Sequence, residues 1–327
     1  MREMDIGDRS RHGSLPASVR VAAVLAMLLT VAATPPGVSL GQWSQGPSLP
    51  SGRSEDGVAA IGVFLFVVGG FGEGTRAQAA FTVFNTGTQS WKDLPALPRG
   101  LNHPGVASLN GKLYVVGGFA EDGRAVSDGY VYDPELGRWD TLEPMPQPRG
   151  ALGLAAVGSK LYAIGGNRNG RSVTDHEIYD PVTNRWLPAD ALPLARDHLG
   201  VVAFNGKVYA IGGRIDSARR NVARTDIYDP NTDTWSSGAP MPTARSGVAA
   251  AVFGDRILII GGESPARAFD TNEAYDPVRN AWTRLAPLPS PRHGTGAATI
   301  GDALYLPAGA PRPGGSQSNT LFIFAGP

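Results

Sequence analysis

From Gln42 to the end of the chain, apolar and polar positions alternate in short runs instead of recurring at helical spacing. "GVASLN" at Gly105–Asn110 alternates small and apolar residues, and "NG" at Asn110-Gly111 is the dipeptide of a two-residue hairpin turn. "KLYVVGG" then reads as a β-rich run stopped by two glycines, "GYVYD" as a third strand and "RWDTLEPMP" as a fourth. No segment after Ala33 sustains a 3.6-residue period. The pattern predicts an all-β chain built from four-stranded units.

The unit repeats. The six tryptophans stand at 43, 91, 139, 186, 235 and 282, separated by 48, 48, 47, 49 and 47 residues. Seven residues after each is a proline, and twenty-six after each of the first five is a glycine pair, which decays to Ala308-Gly309 in the last unit. Phe84, Tyr132, Tyr179, Tyr228 and Tyr275 precede their tryptophans by seven residues. A four-stranded repeat of this length predicts a propeller blade, because one such sheet cannot bury both faces alone and must stack on its neighbours. Six tryptophans predict six blades over residues 42–327. The first fourth strand has no strands before it, and "TLFIFAGP" at the C-terminus has no fourth strand after it. Pairing "QWSQGPSL" with "TLFIF" completes the last blade from both ends of the chain and removes two exposed sheet edges.

Ahead of this region, Arg2, Arg9, Arg11 and Arg20 precede the apolar run Val21–Ala33. That arrangement predicts an export signal over residues 1–33, cleaved after Ala33 or retained as an anchor, followed by a short linker at 34–41. The run is short for a membrane-spanning helix, which needs about 20 residues. The expected location is therefore secreted, periplasmic or cell-surface, with membrane contact only through an uncleaved signal. Gly 43 and Pro 27 beside 42% hydrophobic residues fit many short strands around a core. Basic and acidic residues balance at 29 each, which leaves no electrostatic footprint for nucleic acid. Cysteine is absent, excluding disulfides, thiolate metal sites and cysteine nucleophiles.

The glycine pair after an apolar strand, the Tyr and Trp at fixed offsets and the "PMP…R" connection closely resemble the kelch repeat, over Gln42 to Pro327. The resemblance implies a six-bladed β-propeller in which Tyr and Trp pack between blades. It also implies that a ligand is met on one face, by the residues just before each first strand and just after each glycine pair. By register these are Glu55, His103, Ala151, His198, Gly247 and Gly294, twelve after each Trp, with Ser54, Asn102, Gly150, Asp197, Ser246 and His293 just before them. After the glycines stand Phe71, Phe119, Asn167, Arg214, Glu263 and Ala310. The non-repeating members of this set, Glu55, Phe71, Asn102, His103, Phe119, Asn167, Asp197, His198, Arg214, Glu263 and His293, are the candidate ligand-binding residues.

Arginine stands ten after Trp in five units, as Arg53, Arg149, Arg196, Arg245 and Arg292, and its repetition predicts scaffold that ties adjacent blades. His103, His198 and His293 lie 95 residues apart, a spacing that invites a metal reading. A wide mouth, the offset of His293 and the lack of a close His pair weigh for a polar rim, with no metal and no cofactor. There is no G-x-S-x-G, phosphate-binding loop or calcium loop. The copper oxidases among kelch proteins need a cysteine–tyrosine crosslink, which this chain cannot make. The expected function is an exported binding module for a protein or carbohydrate. The competing reading, implied by exported six-bladed relatives, is a sugar mutarotase of the sialic-acid type using Glu55, Glu263, His198 and Arg214.

Overall fold

Each period folds as one antiparallel four-stranded sheet in the computed structural model, which describes residues 40–326. The segment read as an export signal, and residues 34–39 of the linker, lie outside the described residues. Blade 1 comprises Gly57–Ile61, Phe64–Val68, Phe81–Asn85 and Ser90–Asp93, and blade 2 Gly105–Leu109, Lys112–Val116, Gly129–Asp133 and Arg138–Thr141. Blades 3, 4 and 5 repeat the plan from Gly153, Gly200 and Ala249. Blade 6 takes Ala298–Ile300, Ala303–Pro307 and Leu321–Ala325 from the C-terminal end, and its outer strand is Gln42–Gly46. Trp43 stands opposite Phe324 and Gly46 opposite Leu321, as the complementary chain ends predict.

Burial follows from stacking. Second strands are covered by a neighbouring blade on both faces, so they read as unbroken apolar runs such as Leu161–Ile164 and Ile257–Ile260. Outer strands expose most of their residues and keep only the tryptophan partly covered. The described residues form six apolar clusters, each spanning one blade-to-blade interface; Phe66, Val68 and Phe81 of blade 1 meet Leu113, Val115 and Tyr132 of blade 2, for example. The turn from first to second strand in blades 2 and 4 is Asn-Gly with positive φ at both residues, 51° and 75° at Asn110-Gly111. This is the mirror-image turn whose twist matches the flanking strands.

Two polar devices hold neighbouring blades together. Each tryptophan donates its indole N–H to a backbone carbonyl just beyond the outer strand of the preceding blade. Trp91 reaches Pro47 O at 2.8 Å, Trp139 Pro95 O at 2.8 Å, Trp186 Glu143 O at 2.9 Å, Trp235 Asp190 O at 2.9 Å and Trp282 Ala239 O at 2.9 Å. Trp43 closes the circuit by donating to Ala286 O at 2.8 Å, so the outer strand of blade 6 is bonded like every other.

The repeated arginine acts differently from the expectation that its side chain bridges blades. Arg196 is fully buried and donates within its own blade, to Gly212 O, Ala210 O and the Asp226 carboxylate at 2.8 Å. Arg245 does the same with Gly261 O, Ile259 O and Glu273. Only the arginine backbone crosses the interface: Gly166 N donates to Arg196 O and Gly213 N to Arg245 O, both at 3.0 Å. The glycine ahead of each donor is required there, since a Cβ on Gly165 would stand 2.6 Å from Arg196 O at a φ of +62°. Burial lowers the Arg196 guanidinium to about 10, so it remains charged at neutral pH.

Deleting Gln42–Pro50 is expected to lower the melting temperature strongly by baring the edge Leu321–Ala325; an unchanged calorimetric melt would refute the closure. Arg245→Met leaves the fully buried Glu273 carboxylate without its guanidinium partner, with the Thr243 hydroxyl beside it, and is expected to cost about 3–5 kcal/mol, a loss measurable by chemical denaturation.

Candidate functional site

At the axis, the chain enters each first strand through one left-handed residue. These six are Glu55, His103, Ala151, His198, Gly247 and Gly294, with φ between 53° and 63°. They form a closed ring of backbone hydrogen bonds. His103 N donates to Glu55 O at 2.8 Å, Ala151 N to His103 O at 2.9 Å, His198 N to Ala151 O at 3.0 Å and Gly247 N to His198 O at 2.9 Å. Gly294 N donates to Gly247 O at 2.9 Å, and Glu55 N to Gly294 O completes the circle. The mouth is therefore far narrower than a six-bladed plan suggests. A non-glycine residue in this conformation costs roughly 1 kcal/mol or more. Glycine meets the requirement in two blades, whereas Glu55, His103 and His198 meet it while carrying functional groups to the axis.

Around this ring the candidate residues join one polar network. The Glu55 carboxylate lies 3.0 Å from His103 Nε2 and 3.4 Å from His293 Nδ1. His293 also lies 3.7 Å from Glu263, and Glu263 accepts from Arg214 Nη1 at 2.8 Å. Arg214 donates through Nε to Asp197 at 3.1 Å and through Nη2 to His198 Nε2 at 2.8 Å. Asp197 receives further hydrogen bonds from His198 Nδ1 at 2.5 Å, Asn167 at 3.0 Å and Ser172 at 2.6 Å. His103 sits between Phe71 and Phe119, ring edge to ring face at 5.6 and 5.5 Å, with the His198 ring 4.8 Å away. Side-chain exposure is 8% at His198, 11% at Glu55 and 19% at Arg214, so these charges are largely out of water yet reachable.

Local supports differ by blade. Asn167, Arg214 and Glu263 begin short two-stranded hairpins after the glycine pairs of blades 3, 4 and 5, which fix their directions. Burial alone would raise the Glu55 carboxyl, but His103 and His293 beside it hold it well below its ordinary value. Burial would likewise raise Asp197, which hydrogen bonds from His198, Asn167 and Ser172 keep low. Burial lowers the His198 imidazole, and the adjacent Arg214 adds to the effect. For His293 burial acts in the same direction, yet Glu55 and Glu263 overcome it and hold the imidazole above its usual value.

All eleven candidates thus converge on the mouth. Asn102 serves indirectly, holding His103 Nδ1 at 2.6 Å while its amide N–H donates to Phe119 O. The basic loop residues Arg219 and Arg220 are exposed on the blade 4 hairpin, and Arg224 pairs with the structural Asp226. Sequence reasoning missed Asp56 and Thr295, which line the axial recess one position beyond the ring, and Ser172, whose hydroxyl also receives the Asp216 N–H. Asp56 and Thr295 share the thirteenth position after Trp, where the other blades carry Pro104, Leu152, Leu199 and Val248; that break in character was the available signal.

The chain matches the family model described as KLHDC2/KLHL20/DRC7 Kelch-repeats domain over residues 40–191. It matches the Kelch motif over residues 195–242 and 244–289. Among curated proteins no sequence matches it. Among solved structures it is similar to the structure of YjhT, at 18% sequence identity and a TM-score of 0.75, over 84% of this chain and 95% of that one. That likeness is one of fold. The matched spans stop before the blade 6 strands of the C-terminal end, where the glycine pair has decayed to Ala308-Gly309.

Among the groups lining the recess, Asp56 has the least compensated charge. Burial pushes its carboxyl up to about 8, against the pull of Arg53 and a Thr295 hydroxyl at 3.0 Å, with Glu55 adding to the rise. The folded state therefore binds a proton that the unfolded chain has released, so this group destabilises the fold increasingly as pH rises from about 4 to about 8. Asp56→Asn is expected to raise the melting temperature at pH 8 and to leave it nearly unchanged at pH 4; equal shifts at both values would contradict the assignment.

Proposed function

We propose, from the premise that this chain belongs to the kelch-repeat family of β-propellers, that it is a binding module whose ligand is a carbohydrate taken at the axial mouth. The observation that carries this reading is the network of Glu55, His103, His198, Arg214, Glu263 and His293. These are residues that do not repeat, set at positions where the repeat fixes the backbone. Its carboxylates, imidazoles and guanidinium offer both acceptors and donors, which suits a ring of hydroxyl groups. The axial recess is about 100 Å³ and is lined by Glu55, His103 and His198, room for one edge of a sugar ring. A protein ligand would instead need a contact of about 800 Å² on each partner, and the mouth residues are recessed. The apolar run Val21–Ala33 supports placing this activity outside the cytoplasm. Among the described residues no helix is long and apolar enough to cross a membrane.

A second reading, a sugar mutarotase, is favoured by one specific feature: a carboxylate and an imidazole 3.0 Å apart, Glu55 and His103, with the neighbouring His198 ring contacted by the Arg214 guanidinium. In that reaction a base takes the anomeric hydroxyl proton while an acid protonates the ring oxygen. The bond between anomeric carbon and ring oxygen breaks, and closure on the opposite face returns both protons. Nothing else is consumed. The Glu55–His103 pair has the composition such proton shuttling requires.

Glycan-array binding followed by calorimetry is expected to show a saccharide ligand whose affinity falls at least about tenfold in Arg214→Ala, the loss of one charge-assisted contact. Absence of any glycan signal with a captured protein partner would overturn the carbohydrate assignment. One-dimensional NMR of freshly dissolved anomers separates the two readings. A binding module leaves equilibration at the buffer rate, whereas a mutarotase accelerates it and loses about 100-fold in Glu55→Gln.

A further inference from the structure

Two imidazoles at the mouth are fixed in the same tautomer. Asn102 donates its amide N–H to Phe119 O at 3.1 Å, so its oxygen is the atom that faces His103 Nδ1 at 2.6 Å. His103 Nδ1 therefore carries the hydrogen, and in the neutral ring Nε2 carries a lone pair. His198 Nδ1 faces the Asp197 carboxylate at 2.5 Å and is likewise the donor, leaving a lone pair on Nε2, which Arg214 Nη2 occupies at 2.8 Å. Both rings thus turn an Nε2 electron pair toward the axis, each steadied by the side chain of the preceding residue. This is the outer support that metal-binding histidines ordinarily have.

What His103 Nε2 faces is the Glu55 carboxylate, at 3.0 Å. Two electron pairs at that distance repel unless a positive charge sits between them. One donor atom from each of Glu55, His103 and His198 lies within 4.8 Å of the others, from which small side-chain shifts reach the roughly 3–4 Å separation of ligands about one ion. The three residues occupy equivalent left-handed positions in blades 1, 2 and 4, so the hydrogen-bonded backbone ring holds them to a common level.

We propose that Glu55, His103 and His198 form a binding site for one divalent transition-metal ion. Two imidazole nitrogens and one carboxylate select zinc, cobalt or iron over calcium and magnesium, which prefer all-oxygen cages. Three protein ligands leave a coordination position open toward the recess. Arg214 is the internal competitor. On metal entry its Nη2–H gives up His198 Nε2, and it remains anchored by Asp197 and Glu263. The site uses the mouth described above but does not depend on a carbohydrate ligand, and it is read out with none present.

The test is calorimetric titration of Zn²⁺ into the untagged full-length chain, paralleled by Co²⁺ absorption, with a thermal melt on every variant. One equivalent is expected to bind, raising the melting temperature and giving d–d bands of four- or five-coordinate cobalt. Glu55→Gln, His103→Gln and His198→Gln are each expected to weaken binding at least 100-fold while remaining folded by the melt. Arg214→Met is expected to tighten it about tenfold by removing the competing cation, a gain that damage to the fold cannot mimic. No stoichiometric binding would overturn the proposal and leave a protonated His103 as the charge facing Glu55. Binding that persists in both histidine variants, or that weakens in Arg214→Met, would also overturn it.

Discussion

Crowding on a six-fold axis is the constraint from which the rest of this structure follows. Six first strands converge there, and the space between neighbours admits little beyond hydrogen. A Cβ on Gly200 would stand 2.8 Å from the Cβ of Ala250, and one on Gly296 the same distance from that of Val58. The same crowding forces each entering chain through a left-handed residue and brings six peptide groups close enough to bond head to tail. Outward from the axis the demand reverses: the gaps between blades widen, and the aromatic residues and buried arginines fill them.

Scaffold and chemistry are thereby divided by radius. Buried ion pairs such as Arg196–Asp226 hold the sheet between axis and rim, where they are sealed from water and have no ligand to meet. At the axis the polar groups satisfy one another but stay within reach of solvent. Any ligand entering there exchanges hydrogen bonds with a network already formed, so affinity is set by differences between two sets of contacts and selectivity by how well the newcomer reproduces the old pattern. Charged groups opposed in this way are also held at fixed angles before a ligand arrives, which spares the entropy of arranging them.

The architecture was legible because it is repeated: six tryptophans in register report blade number, strand order and even the shared last blade. The polar network at the axis was legible by the complementary rule, as places where register holds and residue type changes. Two things were not. The direction of the repeated arginine could not be read from spacing, because side chain and backbone carbonyl of one residue serve different blades. Nor could the width of the mouth, since no pattern in the sequence announces that successive left-handed residues bond to one another across 47 to 49 positions. His293 shows the cost of reading register alone. Placed one position off the ring, it neither joins His103 and His198 nor stands apart, but lies between Glu55 and Glu263 and bonds Arg312 O at 3.0 Å.

The joining of the two chain ends in blade 6 also has a kinetic side. Ser44 and Ile323, paired across that sheet, are 279 positions apart, so the first strand to leave the ribosome is among the last to find its partner. Five blades have mostly local pairings and can form in sequence, whereas the sixth waits for the longest loop in the molecule to close. Until then Leu321–Ala325 is an open apolar edge able to accept a strand from another copy. A molecule built this way completes its sheet set only once Leu321–Ala325 has been made, and a chain cut short before Leu321 has no partner strand for Gln42–Gly46.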